Sequence, residues 1–228
     1  MVSKNVSAPL KGDGVLFLHG IGRSAAAMKS LEAYFQKQGY RTLSLTYPSR
    51  RKNLQDLAVW LHANPEWRSF QDSFPGKYHF VTHSMGGLLV REYLHKYRAE
   101  VEREGRLGRV VMIGPPLKGS EIADAYHRLL PYKKFYGPAG QQLTTSYQKD
   151  QKHDIYYDLG SIAGTNSLLY PDSFLIKGPN DGRVSVESTK VEGMKDHHVL
   201  HATHTFIINR KDTATAAHHF ILHGTFEK

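Results

Sequence analysis

From residue 14 to residue 113 the chain alternates between two kinds of text, and that alternation restricts the fold more than any other feature. Residues 14–20 (GVLFLHG) form a short apolar run closed by glycine, the text of a strand covered on both faces. Residues 25–38 then place Met28, Leu31, Tyr34 and Phe35 on one helical stripe, ended by Gly39. Residues 41–46 (RTLSLT), 77–82 and 108–113 (GRVVMI) read as further strands. Residues 53–62, with Leu54, Leu57, Ala58 and Leu61 behind a capping Asn53, and residues 84–97 read as further helices. Strict β, α alternation predicts an α/β fold: a mostly parallel sheet with right-handed crossovers and helices on both faces.

After Gly114 the rhythm lapses. Residues 120–165 are rich in Tyr, Lys, Gln and Gly and hold one helix candidate, at 121–130, followed by loop-like text. An insertion of that length predicts a short lid or a pocket wall. Residues 173–177 (SFLIK) and 198–202 (HVLHA) are expected to complete a sheet of about six strands, and residues 213–222 to form a closing helix. No linker composition or repeat divides the text, so residues 1–228 read as one domain.

Composition narrows the chemistry. The chain has no cysteine, which excludes disulfides, thiol catalysis and cysteine-held metals. Histidines are many, at 14, but no tight ligand spacing such as H-E-x-x-H appears, and neither a metal nor a cofactor is expected. The net charge is +9, with the basic residues spread out rather than gathered in a nucleic-acid reader. The plainest reading is a solvated basic surface; transient association with an anionic membrane surface is compatible with it, and nucleic acid is not expected. No run reaches the roughly 20 apolar residues of a membrane span, and residues 1–14 lack the apolar middle of a signal peptide. The expected compartment is the cytoplasm, or the exterior if a signal has been removed. Oligomeric state is not legible.

The chemistry gathers at predicted strand ends, where open parallel sheets bind ligands. Thr82-His83-Ser84-Met85-Gly86 follows a strand and opens a helix, as a nucleophile elbow does, with threonine at the usual position of the first glycine. The rival reading is a serine capping a helix, but a bare cap does not call for Gly86 and Gly87 in the first turn, where each costs roughly 1 kcal/mol. His19-Gly20-Ile21-Gly22 closes the first strand, and the N–H groups of Ile21 and Met85 are the natural pair to hold a developing oxyanion. Downstream, Asp181 lies beyond SFLIK and His204 beyond HVLHA. A serine hydroxyl needs a histidine to take its proton, and that histidine needs a carboxylate to orient it. The order Ser84, Asp181, His204 suits this fold. Asp172, Asp158 and Glu187 are rival acids; His197, His198, His201, His218, His219 and His223 are rival bases.

On HGIGRSAAAM, THSMGGLLVREYL, GPPLKGSEIAD, GPAGQQL, NDGRVSVEST and THTFIINR the sequence resembles the α/β-hydrolase superfamily. It is similar in particular to small bacterial lipase- and esterase-like serine hydrolases of the group that includes GPI-inositol deacylase-like proteins. The resemblance implies an α/β-hydrolase fold with trimmed N-terminal strands. It also implies a carboxylic-ester hydrolase that works through an acyl-enzyme on an ester or lipid substrate. Ser84 would be the nucleophile, His204 the base and Asp181 its orienting acid. His19, Arg23, Tyr47 and His83 would contact substrate, with Arg23 alternatively bracing the oxyanion loop or simply exposed, and Leu129, Leu130, Tyr132, Phe135 and Tyr136 would offer apolar contacts to an acyl chain or simply cover core. The same triad would also serve an acyltransferase or an amidase, and the fold also serves non-catalytic binding proteins.

Overall fold

The computed structural model describes residues 12–151 and 153–227. Six strands make one sheet: β1 (Gly14–Leu18), β2 (Arg41–Leu45), β3 (Tyr78–His83), β4 (Leu107–Ile113), β5 (Leu159–Gly164) and β6 (Asp196–Leu200). Their order is β2-β1-β3-β4-β5-β6, and every pairing is parallel. All the carboxyl ends of the strands therefore meet along one edge.

The helices in chain order are α1 (Lys29–Lys37), α2 (Leu54–Ala63), α3 (Pro65–Asp72), α4 (Met85–Lys96), α5 (Arg98–Glu104), α6 (Glu121–Tyr126), α7 (Leu130–Gln141), α8 (Thr145–Lys149) and α9 (Lys211–His223). Strand alternation sorts them into two layers. Leu16, Leu18, Phe80 and Met112 point to the side where α2, α3 and α4 pack, with Leu57, Trp67 and Leu89 among the buried partners. Val15, Phe17, Val81, Val111 and Ile162 point to the other side, against Leu31 and Phe35 of α1 and Phe220 of α9. Burying one such large apolar side chain stabilises the fold by about 1.5–3 kcal/mol, and β1, with every side chain buried, has no face that tolerates a polar residue.

Asn53 caps α2, its side-chain oxygen accepting from Asp56 N–H at 2.7 Å, as the sequence suggested. Asn64 does the same for α3 at 2.9 Å, with Pro65 at its first position. That helix escapes a periodicity reading because Trp67 is its single buried residue.

Two expectations are corrected. Residues 173–177 are not a strand: Pro171–Leu175 is a 3₁₀ turn with Phe174 exposed. The fifth strand is β5, written LGSIAG inside the stretch expected to be insertion and loop. Its small residues are imposed by packing. A Cβ on Gly160 would sit 2.7 Å from the Phe220 ring, and one on Gly164 2.4 Å from the Ala202 carbonyl oxygen. Before residue 150 the insertion is mostly helical, as α6, α7 and α8, with α7 kinked where Gly137 (φ 62°, ψ −158°) precedes Pro138. Gly137 is obligatory because a Cβ there would overlap the Arg50 carbonyl oxygen at 1.8 Å. The insertion is thus clamped onto the loop that follows β2.

Candidate active site

Ser84 sits between β3 and α4 with φ 52° and ψ −126°, the one non-glycine positive φ among the described residues. Such a backbone costs about 1–3 kcal/mol and persists only where its surroundings dictate it. Here they do. Ser84 N–H donates to the Ile113 carbonyl at 2.8 Å, and the Ser84 carbonyl accepts from Gly87 N–H at 3.0 Å. A Cβ on Gly86 would lie 2.6 Å from the Leu18 carbonyl oxygen, so glycine is what lets the first turn of α4 press against the end of β1. The capping alternative fails, because the Ser84 side chain makes no cap bond to α4. Thr82 is fully buried between Leu18 and Met112, its hydroxyl 3.5 Å from the Val111 carbonyl.

The Ser84 hydroxyl instead meets His204. Oγ is 3.0 Å from His204 Nε2, and His204 Nδ1 is 2.7 Å from Asp181 Oδ2. Asp181 is fully buried, and its Oδ1 accepts from Arg183 N–H at 2.9 Å and Val184 N–H at 2.8 Å. Its own carbonyl accepts from His204 N–H at 2.9 Å. This cage fixes the carboxylate so that Nδ1 carries the proton and Nε2 presents its lone pair to the serine. The rival acids lie elsewhere: Asp172 is paired with Arg183, Asp158 with Arg109 and Lys195, and Glu187 with Lys118 and Lys190.

Asp181 does not follow a strand in SFLIK, as the sequence suggested. It lies midway along the excursion between β5 and β6, while His204 follows β6 as expected. Tyr170 ties the two loops together: its hydroxyl donates to Thr205 Oγ1 at 2.5 Å and accepts from Thr205 N–H at 3.1 Å. Gly114, at the end of β4, is a site residue that motif reading missed. With φ 58°, it leaves only 3.2–3.3 Å between a would-be Cβ and the His204–Asp181 contact. A glycine before two prolines at a strand end was its signal.

The four residues expected to touch substrate divide. Arg23 lines the cleft beside Ser84. His83 also lines the cleft but is 2% exposed. Its Nε2–H donates to the His204 carbonyl at 2.9 Å. Burial, and then the neighbouring His204 ring, hold its pKa well below the ordinary imidazole value, so it is neutral at neutral pH. His19 and Tyr47 are off the cleft wall. They stack at 4.2 Å between ring centroids beneath the loop after β1, with Tyr47 O–H donating to the His19 carbonyl at 2.5 Å. Burial depresses the His19 pKa, and Nδ1 donates to the Gly20 carbonyl at 2.8 Å. These two residues shape the loop rather than the pocket.

Within that loop most amides are engaged. Gly22 N–H donates to Ser49 Oγ at 3.0 Å and Arg23 N–H to the Gly20 carbonyl at 3.2 Å. Ile21 N–H has no partner among the described residues. Met85, the first residue of α4, has no preceding turn to donate to. Both flank Ser84. The cleft over Ser84 and His204 has a volume of about 310 Å³ and is walled mainly by Ile122, Ala123, Tyr132, Tyr136 and Leu143 of the insertion. No cluster of three or more His, Asp or Glu residues that could hold a metal occurs among the described residues.

Solved structures of similar fold include the mature lipase BlEst2 of Bacillus licheniformis, with a TM-score of 0.72, 21% identity and 88% of each chain covered. Phospholipase PlaB from Legionella pneumophila aligns with a TM-score of 0.69 and 18% identity over 92% of this chain and 57% of that one. A metagenomic carboxyl esterase, MGS0156, aligns at 0.67 and 18% over 88% and 67%. At such identities the likeness is one of fold. No curated protein sequence matches the chain significantly. The sequence profile of the alpha/beta hydrolase family matches residues 15–177, a span that takes in the Ser84 elbow and stops short of Asp181 and His204. By that match and by its parallel sheet, the chain belongs to the alpha/beta hydrolase family.

Proposed function

We propose that the protein is a carboxylic-ester hydrolase that works through an acyl-enzyme on Ser84. The observation that carries the reading is the unbroken line from Ser84 Oγ through the His204 ring to Asp181, with contacts of 3.0 and 2.7 Å. In the first half-reaction His204 Nε2 takes the serine proton as Oγ bonds to the ester carbonyl carbon. The carbonyl oxygen, now negative, is held by the N–H groups of Ile21 and Met85. Collapse breaks the bond to the alcohol oxygen, which leaves with the proton from His204. Water then repeats the sequence on the acyl-serine and releases the carboxylic acid. Asp181 holds the ring in place and stabilises the imidazolium.

The aromatic and aliphatic wall supplied by α6, α7 and the segment before α8 suits an apolar acyl chain, and about 310 Å³ suits one of short to medium length. The lipase, phospholipase and carboxyl esterase among the similar folds support the same substrate class. In this reading residues 120–149 act as a pocket wall, fixed to the body by the Gly137–Arg50 contact.

A series of p-nitrophenyl esters from acetate to palmitate tests the reading. Turnover is expected, highest at short to medium chains, and Ser84→Ala should lower kcat by at least about 10³-fold with the fold intact. Undiminished turnover in Ser84→Ala protein refutes the proposal.

A further inference from the structure

Large apolar side chains left in water are unusual, and here they are not scattered. Among the described residues, Leu129, Leu130, Phe135, Leu168, Leu169, Phe174 and Phe206 are all more than half exposed. Each lies in a short segment that also lines the cleft. Leu129, Leu130 and Phe135 surround Tyr132 on the insertion; Leu168, Leu169 and Phe174 surround Tyr170 after β5; Phe206 follows Thr205 after β6. The exposed apolar residues therefore neighbour cleft-lining residues on the insertion and on the loops after β5 and β6, the last two loops tied together by the Tyr170–Thr205 bond.

The charges left without a partner in and around these segments are positive. Arg23 lines the cleft, Lys133 and Lys134 lie between Leu130 and Phe135, and Arg50 rests over the Phe135 ring at 5.4 Å. None of the four pairs with a carboxylate among the described residues. Two of the acids nearby are already engaged: Asp172 by both contacts of Arg183 at 2.9 Å, and Asp124 by Thr145 N–H and Oγ1. A water-facing ring of Leu and Phe with unpaired cations between them is matched by a layer that is apolar beneath and negative on top.

We propose that the mouth of the cleft is a docking surface for anionic lipid, with Leu130, Phe135, Leu168 and Phe174 entering the acyl region and Arg23, Arg50, Lys133 and Lys134 meeting the head groups. Docking would bring an ester from the lipid layer to Ser84 without crossing water. That last step rests on the proposed esterase activity; the docking itself does not.

Co-sedimentation with phosphatidylcholine vesicles, with and without phosphatidylglycerol, tests this, using Ser84→Ala protein so that the lipid stays intact. Binding is expected to vesicles containing phosphatidylglycerol and to fall steeply with added salt. Lys133→Glu with Lys134→Glu should weaken it about tenfold or more. Leu168→Ser with Phe174→Ser should weaken it by a similar factor of about ten, while Val59→Ser on α2 changes nothing. With Ser84 restored, the Leu168/Phe174 double variant should hydrolyse a water-soluble ester at the parent rate. That assay reads the esterase proposal separately from the docking. Failure to bind phosphatidylglycerol vesicles at low salt overturns the inference. So does equal binding to neutral vesicles, binding indifferent to both double variants, or self-association through this face seen by sedimentation velocity and lost in the Leu168/Phe174 variant.

Discussion

The serine and its partners are presented by two regions built in opposite ways. At the β3–α4 junction the backbone is fixed by close packing: a strained Ser84, a glycine at 86 that admits the Leu18 carbonyl, and a strand buried on both faces. Between β5 and β6 the chain wanders through residues 165–180 before Asp181 reaches the site, and the order there comes from hydrogen bonds between loops rather than from strand packing. The lesson is about what each group needs. A nucleophile has to be aimed by the backbone, which takes particular residues at fixed spacing. An acid and a base need only side-chain reach and a cage of donors, which many loop sequences provide.

Breaking each region in turn sharpens the contrast. The largest effect is expected in the second region, from Asp181→Asn, which keeps the shape but favours the wrong imidazole tautomer. kcat for a soluble ester should fall by about 10³- to 10⁴-fold with little change in Tm. A loss under tenfold would mean that the Asp181 contact is ornamental.

Gly86→Ala comes next. Its Cβ at 2.6 Å from the Leu18 carbonyl must push α4 or the β1 loop away from Ser84. We expect about a 10²-fold loss of kcat and a lower Tm. Gly164→Ala is its counterpart in the second region, with a Cβ 2.4 Å from the Ala202 carbonyl oxygen and 2.8 Å from the Asp181 Cβ, and should lower Tm with a smaller kinetic loss because it displaces the loops of the acid and base rather than the backbone of the nucleophile. If Gly164→Ala proves the more damaging to kcat, the contrast between rigid and yielding regions is wrong.

His83 links the two, since it ends β3 and donates to the carbonyl of His204. His83→Phe leaves that carbonyl unpaired and should lower kcat about tenfold with KM nearly constant. His83→Gln, which keeps a donor, should restore most of the loss. Because burial keeps His83 neutral, neither variant should move the acid limb of the pH–rate profile. A shifted limb would place His83 in proton transfer instead. Thr82→Gly is expected to be smallest, within about threefold in kcat and about 1 kcal/mol less stable through lost packing.

The same contrast explains what could be read from the text. The α/β alternation, the elbow and the position of His204 were legible because strand-buried apolar runs and a glycine-rich turn leave compositional marks. Strand β5 was not, because Phe220 and the Asp181 loop press on it closely enough to demand Gly160 and Gly164, and LGSIAG looks like loop. SFLIK looked like strand because its side chains suit one, yet Pro171 and the pull of Tyr170 toward Thr205 turn it into a 3₁₀ segment at the mouth. Asp181 reads in the text as following SFLIK, with a plain Asn180-Asp181-Gly182 turn as the rival; the turn is present, Gly182 N–H donating to Asn180 Oδ1, and the N–H groups of Arg183 and Val184 just after it hold the Asp181 carboxylate. His19 and Tyr47 sit at strand ends, as pocket residues do. Only packing shows that they face inward, under the loop.

The central claim is that Ser84 is an activated nucleophile, and a fluorophosphonate reports on it directly. Intact mass followed by peptide mapping should show a single adduct, on Ser84, that fails to form in His204→Ala protein. A folded protein that gains no mass, or gains it at another residue, would contradict the account.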